Sequence, residues 1–177
     1  MLIVPGIMSL SQYLLMLVRG PILDYHQEQC RICGKIGGLW GHGFRFRKSD
    51  REGEGLNPIK IQRLICKFCK KTFSILPECI PPRRWHLWAM QQAALLLYVS
   101  GRSIRAIAKT LSPARRTISR WLTCLKEEFL VHESVLRGHQ PDLGRASGFT
   151  DFWKACLDKF SLASAMRLCH VAGVVIP

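Results

Sequence analysis

Four cysteines carry the first chemistry in the chain. They form two pairs, Cys30-Arg-Ile-Cys33 and Cys66-Lys-Phe-Cys69, with 32 residues between Cys33 and Cys66. Two residues between cysteines let both thiolates of one tight turn face a single ion. Two such turns complete a tetrahedral sulfur shell, the geometry that suits Zn²⁺. Four thiolates leave no open position for water, so the expected metal is one structural zinc rather than a catalytic one. His42 lies nearby but is not needed as a ligand. The chain has eight cysteines. Cys79, Cys124, Cys156 and Cys169 lie scattered in apolar surroundings and read as small core residues of a protein from a reducing compartment.

The elements that must hold these turns follow from the intervening pattern. Gly34 supplies the left-handed turn that such a knuckle needs. In Phe44-Arg-Phe46-Arg, aromatic and cationic residues alternate, which predicts a half-buried strand with one apolar and one cationic face. Residues 48–58 are polar, with two glycines and a proline, and read as a loop. Ile59–Leu64 alternates again, and Thr72–Leu76 predicts a third strand. The order knuckle, strand, loop, strand, knuckle, strand is that of a zinc ribbon, a hairpin clamped by metal because it is too small to bury a core of its own.

Charge points to a partner. The net charge is +14, and residues 30–130 hold 20 of the 26 basic but only 6 of the 12 acidic side chains. The whole excess sits in the middle of the chain, which favours a polyanion such as nucleic acid. After a proline-marked linker (Pro77, Pro81, Pro82) and Arg83-Arg84, the stretch Trp85–Ser100 predicts a long, largely buried helix closed by Gly101. Ser103 caps a predicted helix over Ile104–Leu111. Ser112-Pro113 breaks it, and Arg115–Leu122 predicts a second. Apolar stripes of Ile104, Ile107, Ala108 and Leu111, then Ile118, Trp121, Leu122 and Leu125, make the pair a helix-turn-helix. Arg115, Arg116, Ser119 and Arg120 then lie where a recognition helix meets base edges.

The run Ile107-Ala108-Lys-Thr-Leu111-Ser-Pro-Ala-Arg-Arg-Thr117-Ile118-Ser-Arg120-Trp121-Leu122 resembles the helix-turn-helix of bacterial insertion-sequence transposases and related recombinases. Their usual form is Ile-Ala-x-x-Leu-Gly-Val-Ser-x-x-Thr-Val-x-Arg-Trp-Leu. The cysteine region upstream, with LWGHG and the Cys-x-x-Cys-Lys-Lys-Thr-Phe run, is similar to the N-terminal module of such proteins. The resemblance covers about residues 30–130. It departs in the turn, where Ser112, Pro113 and Ala114 replace Gly-Val-Ser. Loss of serine at 114 removes the usual helix cap, at a cost of about 1 kcal/mol.

The ends carry less. Residues 1–18 are mostly apolar but broken by Pro5-Gly6. They are shorter than the roughly 20 residues of a membrane span and lack the basic start of a signal peptide. A helix from about Ser9 to Val18 is expected, packed on the body or on a partner. Residues 132–148 read as a loop. Thr150 caps a helix to about Phe160, and Leu162–Val171 forms another. No carboxylate triad, recombinase nucleophile or phosphate-binding glycine loop is present, so binding rather than catalysis is expected.

The expected fold class is α+β. A small β zinc ribbon (30–77) is followed by a helical helix-turn-helix domain (83–130) and a short helical C-terminal segment (131–177), with an apolar helix and lead-in over 1–29. The expected function is zinc-dependent binding of double-stranded DNA by a transposase-like recognition module in the bacterial cytoplasm, associated with the nucleoid. Zinc would sit on Cys30, Cys33, Cys66 and Cys69. DNA would meet Arg115, Arg116, Ser119 and Arg120, the linker pair Arg83 and Arg84, and the ribbon cations Arg45, Arg47, Lys70 and Lys71. A homodimer or a transposition-complex partner is also expected, and a membrane is not. The competing reading is a protein–protein adaptor or transcription regulator whose ribbon docks on a nucleic-acid machine.

Overall fold

In the computed structural model the apolar N-terminal run becomes part of a sheet. The structure describes residues 2–20, 22, 24–48, 58–82 and 86–177. Arg83, Arg84, Trp85 and most of the 48–58 loop lie outside the described residues. Strand β1 (Leu2–Val4) pairs in parallel with β4 (Thr72–Pro77), with Leu2 opposite Ile75 and Val4 opposite Pro77. Helix α1 (Leu10–Arg19) follows, with the Ser9 hydroxyl accepting from the Gln12 amide at 3.1 Å, as an N-cap should. Strands β2 (Leu39–Arg47) and β3 (Ile59–Cys66) are antiparallel, and the sheet order is β1-β4-β3-β2.

The cysteine-bearing region therefore does have a core. Ile7 and Tyr13 from the N-terminal segment are buried in one cluster with Leu39, Ile59, Ile61, Leu64 and Ile75. The Tyr13 hydroxyl donates to the Lys60 carbonyl at 2.8 Å, so α1 is tied to the backbone of β3. Glu78, also buried, accepts from the Gly6 amide at 2.7 Å and fixes the turn between β1 and α1. This corrects the expectation of a bare hairpin: the N-terminal apolar residues supply what the hairpin lacks.

Strand β2 departs from the expected half-buried pattern. Phe44 and Phe46 are 56% and 66% exposed, and every residue from Trp40 to Phe46 is exposed. Strand β2 is at the sheet edge, and its middle, residues 40–46, is left exposed. A bulge also breaks its alternation. Gly41 faces Leu64 but Phe44 faces Gln62, so three steps on β2 answer two on β3. Gly43 takes the left-handed conformation there, with φ +70°.

The chain divides into two compact units, Met1–Leu87 and Trp88–Pro177. The second is helical. Helix α2 (Trp88–Val99) is largely buried and ends in a Schellman closure: Gly101 has φ +91°, and the Arg102 amide donates to the Leu97 carbonyl at 3.0 Å. Helix α3 (Ile104–Thr110) starts on Ser103, whose hydroxyl accepts from the Ala106 amide at 3.2 Å. Helix α4 (Arg115–Glu127) follows after Leu111–Ala114. Next come α5 (Phe129–His139), a 3₁₀ turn (Pro141–Arg145), α6 (Gly148–Lys159) and α7 (Leu162–Val171).

Residues 132–148, expected as a loop, are thus helical over most of their length. The buried stripe of α5 includes His132 beside Leu136, with Phe129 and Val135 packed around it. A histidine in the core position hides the helical period from a hydrophobicity reading. Thr150 does not cap α6. The helix starts earlier, at Gly148, with Ser147 in the cap position and no side-chain cap bond. The apolar C-terminus, unexplained in the sequence, closes this unit: Val174 and Ile176 pack on the core, and the Val175 carbonyl lies 2.7 Å from His132 Nε2. The architecture is mixed α+β, with a four-stranded sheet and seven α-helices among the described residues.

Candidate metal centre and basic surface

The two cysteine pairs sit in turns with one hydrogen-bond pattern. In the first, the Gly34 amide donates to the Cys30 carbonyl at 2.8 Å and the Cys30 amide to the Lys35 carbonyl at 3.0 Å. In the second, the Lys70 amide donates to the Cys66 carbonyl and the Cys66 amide to the Lys71 carbonyl, both at 2.9 Å. Each turn needs a left-handed residue just after its second cysteine. Gly34 (φ +70°) fills that place in one and Lys70 (φ +57°) in the other. Lys70 is the one non-glycine with positive φ among the described residues.

These turns bring the four sulfurs together. Cys30 Sγ lies 3.7 Å from Cys69 Sγ, and Cys33 Sγ 3.7 Å from Cys66 Sγ. All four lie within 4.8 Å of one another, and they form the only such cluster among the described residues. The spacing is too long for a disulfide, whose sulfurs sit about 2.05 Å apart. It matches the edge of a sulfur tetrahedron around an ion at about 2.3 Å, the zinc–thiolate distance. Four soft donors at tetrahedral spacing fit one metal ion. His42 is exposed on β2 and stands outside the cluster.

The thiols are prepared for deprotonation unevenly. The Cys69 and Phe68 amides point at Cys66 and, against burial, pull its pKa down to about 6. Cys30 is opposed by burial, yet the equivalent Cys33 and Ile32 amides lower it as well. For Cys69 the Lys71 amide favours the thiolate, but burial and the neighbouring sulfurs together push it up to about 11. A cation among four crowded sulfurs removes that mutual penalty. Away from the cluster, burial pushes Cys79, Cys156 and Cys169 up to about 12, as inert core thiols.

The residues around the sulfurs explain further sequence features. A side chain at Gly38 would place its Cβ 2.5 Å from the Phe68 ring, so glycine there leaves room for Phe68 in its observed place. The Gly38 carbonyl accepts from the Lys67 amide at 2.7 Å. The Lys35 and Lys67 ammonium groups stand 4.7 and 5.2 Å from the Phe68 ring centre. One aromatic thus joins the two cysteine turns and gathers cations on itself. The sequence reading missed Phe68 and Gly38. An aromatic between the second pair's cysteines was the available signal.

The predicted DNA-contacting residues fall on both units. Arg115, Arg116 and Arg120 are exposed on α4 and Ser119 is half-buried, while Ile118, Trp121, Leu122 and Leu125 on the opposite face are buried. Ala114 is the N-cap of α4 and makes no side-chain cap bond. Lys70 and Lys71 are exposed on the second cysteine turn, and Arg45 is exposed on β2. Arg47 is half-buried. Its guanidinium donates to the Pro81 carbonyl at 2.8 Å, and burial followed by the Arg45 charge lowers its pKa.

No helix among the described residues is long and apolar enough to cross a membrane. No curated protein and no solved structure matches the chain. One family model does, described as a domain of unknown function (DUF6431), over residues 30–121. The match opens on the first cysteine of the quartet and ends on Trp121 within α4, so it spans all four sulfurs, α3 and the first half of α4. With just over half of its length covered by that model, the chain belongs to the DUF6431 family.

Proposed function

We propose that the protein is a zinc-dependent DNA-binding protein of mobile-element type. In this reading α3 and α4 form a helix-turn-helix that meets a duplex through its major groove, and a zinc ribbon contributes phosphate contacts. The observation that carries the reading is the charge on α4. Arg115 and Arg116 occupy its first turn, and Arg120 follows one turn later, all exposed. No acidic residue shares that first turn, and the cap residue Ala114 leaves the backbone amides unsatisfied by a side chain. The start of a helix already carries positive potential, so two arginines there oppose the helix dipole. A phosphate backbone relieves that conflict, because amides and guanidinium groups then share an anion.

Arginine in this position also offers bidentate contacts to guanine edges. The likeness of the Ile107–Leu122 run to transposase helix-turn-helix segments supports the same assignment. The thiolate-only ligand set and the tetrahedral sulfur spacing favour zinc as the metal, held closed and structural. When bound, zinc supplies cross-linking of the two turns and no open coordination site. Lys70, Lys71 and Arg45 then lie on a surface that it keeps folded. The bacterial cytoplasm, at the nucleoid, is the setting this function requires.

The test is binding of the full chain to duplex pools, followed by fluorescence anisotropy between 50 and 200 mM salt, a range over which phosphate-driven binding weakens steeply. Arg116→Ala is expected to relax sequence preference, and Lys70→Ala to weaken all duplexes alike. Affinity that ignores salt, or that survives combined Arg115→Ala, Arg116→Ala and Arg120→Ala, would overturn the assignment.

A further inference from the structure

We propose that the exposed edge of the N-terminal sheet is a second nucleic-acid site, one that takes unpaired bases by stacking on Phe44 and Phe46. The site lies in the first unit and does not depend on the reading of α3 and α4.

Phe44 and Phe46 stand 56% and 66% exposed on β2, while the paired strand β3 buries Ile59, Ile61 and Leu64. Their register places them together. Phe44 faces Gln62 and Phe46 faces Lys60 across the β2–β3 ladder, so both rings rise from the same face, with the exposed Lys60 beside Phe46. The next strand residue, Arg45, is exposed on the opposite face. Rings and cations therefore interleave along one edge. Strands β2, β3 and β4 contain no acidic residue.

This chemistry selects the occupant. A second copy of the chain adding its own β2 would bring Arg45 against Arg45 or its neighbours, and charged edge strands resist such pairing. An acidic peptide would satisfy the cations and leave both rings wet. A single-stranded nucleic acid satisfies both, because every base has a face that stacks on an aromatic ring and every linkage carries a phosphate. Residues two apart on a strand stand about 7 Å from each other, roughly twice the 3.4 Å advance per nucleotide of one strand in a duplex. Bases stacked in a duplex cannot offer their faces to two rings so spaced. An extended single strand can.

The experiment uses the metal-loaded full chain and a labelled oligothymidylate of fifteen nucleotides, followed by fluorescence anisotropy. Phe44→Leu and Phe46→Leu keep apolar bulk at exposed positions and remove the aromatic face. Each is expected to weaken single-strand binding by about five-fold or more, with duplex affinity and metal content unchanged. Lys60→Gln is expected to lower the salt dependence by about 0.7 in log–log slope, as one lost phosphate contact on a single strand should. Single-strand affinity equal to wild type in the Phe44→Leu/Phe46→Leu double variant would overturn the proposal. So would parallel losses on duplex and single strand, or no single-strand binding at all. Sedimentation provides the remaining check: a dimer that the double variant dissolves would assign the rings to self-association instead.

Discussion

Lys70 gives the sharpest test of how the cysteine turns are built. It holds φ +57° at the place where the first turn has Gly34 at φ +70°. A left-handed residue with a side chain costs roughly 1–2 kcal/mol. Glycine avoids that cost but loses more freedom on folding, by roughly 0.5–1 kcal/mol. The difference predicts that Lys70→Gly stabilises the folded turn by about 0.5–1 kcal/mol. Because metal binding and folding of the site are one equilibrium, the gain should read out as metal retention. At 1.4 kcal/mol per decade it amounts to about two- to five-fold in competition with a colorimetric chelator. The reciprocal change, Gly34→Lys, should cost a comparable amount. Space is not the obstacle there, since a Cβ at Gly34 would meet only Gln29 Nε2 at an ordinary 3.7 Å. The same Lys70→Gly variant removes an exposed cation and should bind duplex DNA less tightly, with a salt slope lower by about 0.9. Faster metal loss from Lys70→Gly, or no loss from Gly34→Lys, would refute the equivalence of the two turns.

Three other outcomes are expected. Elemental analysis of protein purified without added metal should find one zinc per chain, and Cys66→Ser, which removes a fully buried ligand, should abolish it together with the fold of the first unit. Arg115→Ala and Arg116→Ala should each raise the stability of the helical unit by about 0.3–1 kcal/mol at low ionic strength, by removing like charge from the start of α4, measured as the urea midpoint. His132 is buried beside the Val175 carbonyl and Trp153, and burial, outweighing that carbonyl and Glu128, lowers its pKa below the ordinary 6.5. Above pH 6.5 it is neutral folded or unfolded. Below that value the unfolded chain takes the proton first, so the helical unit should lose stability as pH falls from 6.5 through the lowered folded value. His132→Gln should flatten that dependence in urea titrations followed by tryptophan fluorescence.

Local chemistry decided which features the sequence made legible. The cysteine turns were visible because each is complete within six residues: two thiols, a left-handed position and a returning amide. The start of α3 was visible because Ser103 and Gly101 act within one turn of it. Strand β1 was not, because its partner β4 lies some seventy residues away and a three-residue parallel strand has no pattern of its own. Helix α5 was hidden by His132, a core residue of polar type. The exposure of Phe44 and Phe46 could not be read either. Alternation shows which residues share a face, whereas the rest of the fold decides whether anything covers it.

The places where this chain breaks local rules have something in common. Lys70 takes a backbone conformation that glycine would hold more easily. Arg115 and Arg116 put positive charge on the positive end of a helix. Phe44 and Phe46 stand 56% and 66% exposed on the edge strand. Each is a cost that a simpler residue would remove. Conflicts of this kind concentrate where function opposes stability. These three involve cations or bare aromatic rings. Under the proposals above, a polyanion that carries flat, stackable bases would offset the charge at the start of α4 and cover the rings on β2, while its contact with the Lys70 ammonium would offset, without removing, the cost of that backbone conformation. Neither an acidic protein nor an anionic membrane would cover the rings by stacking, which is why nucleic acid is the partner proposed for each unit.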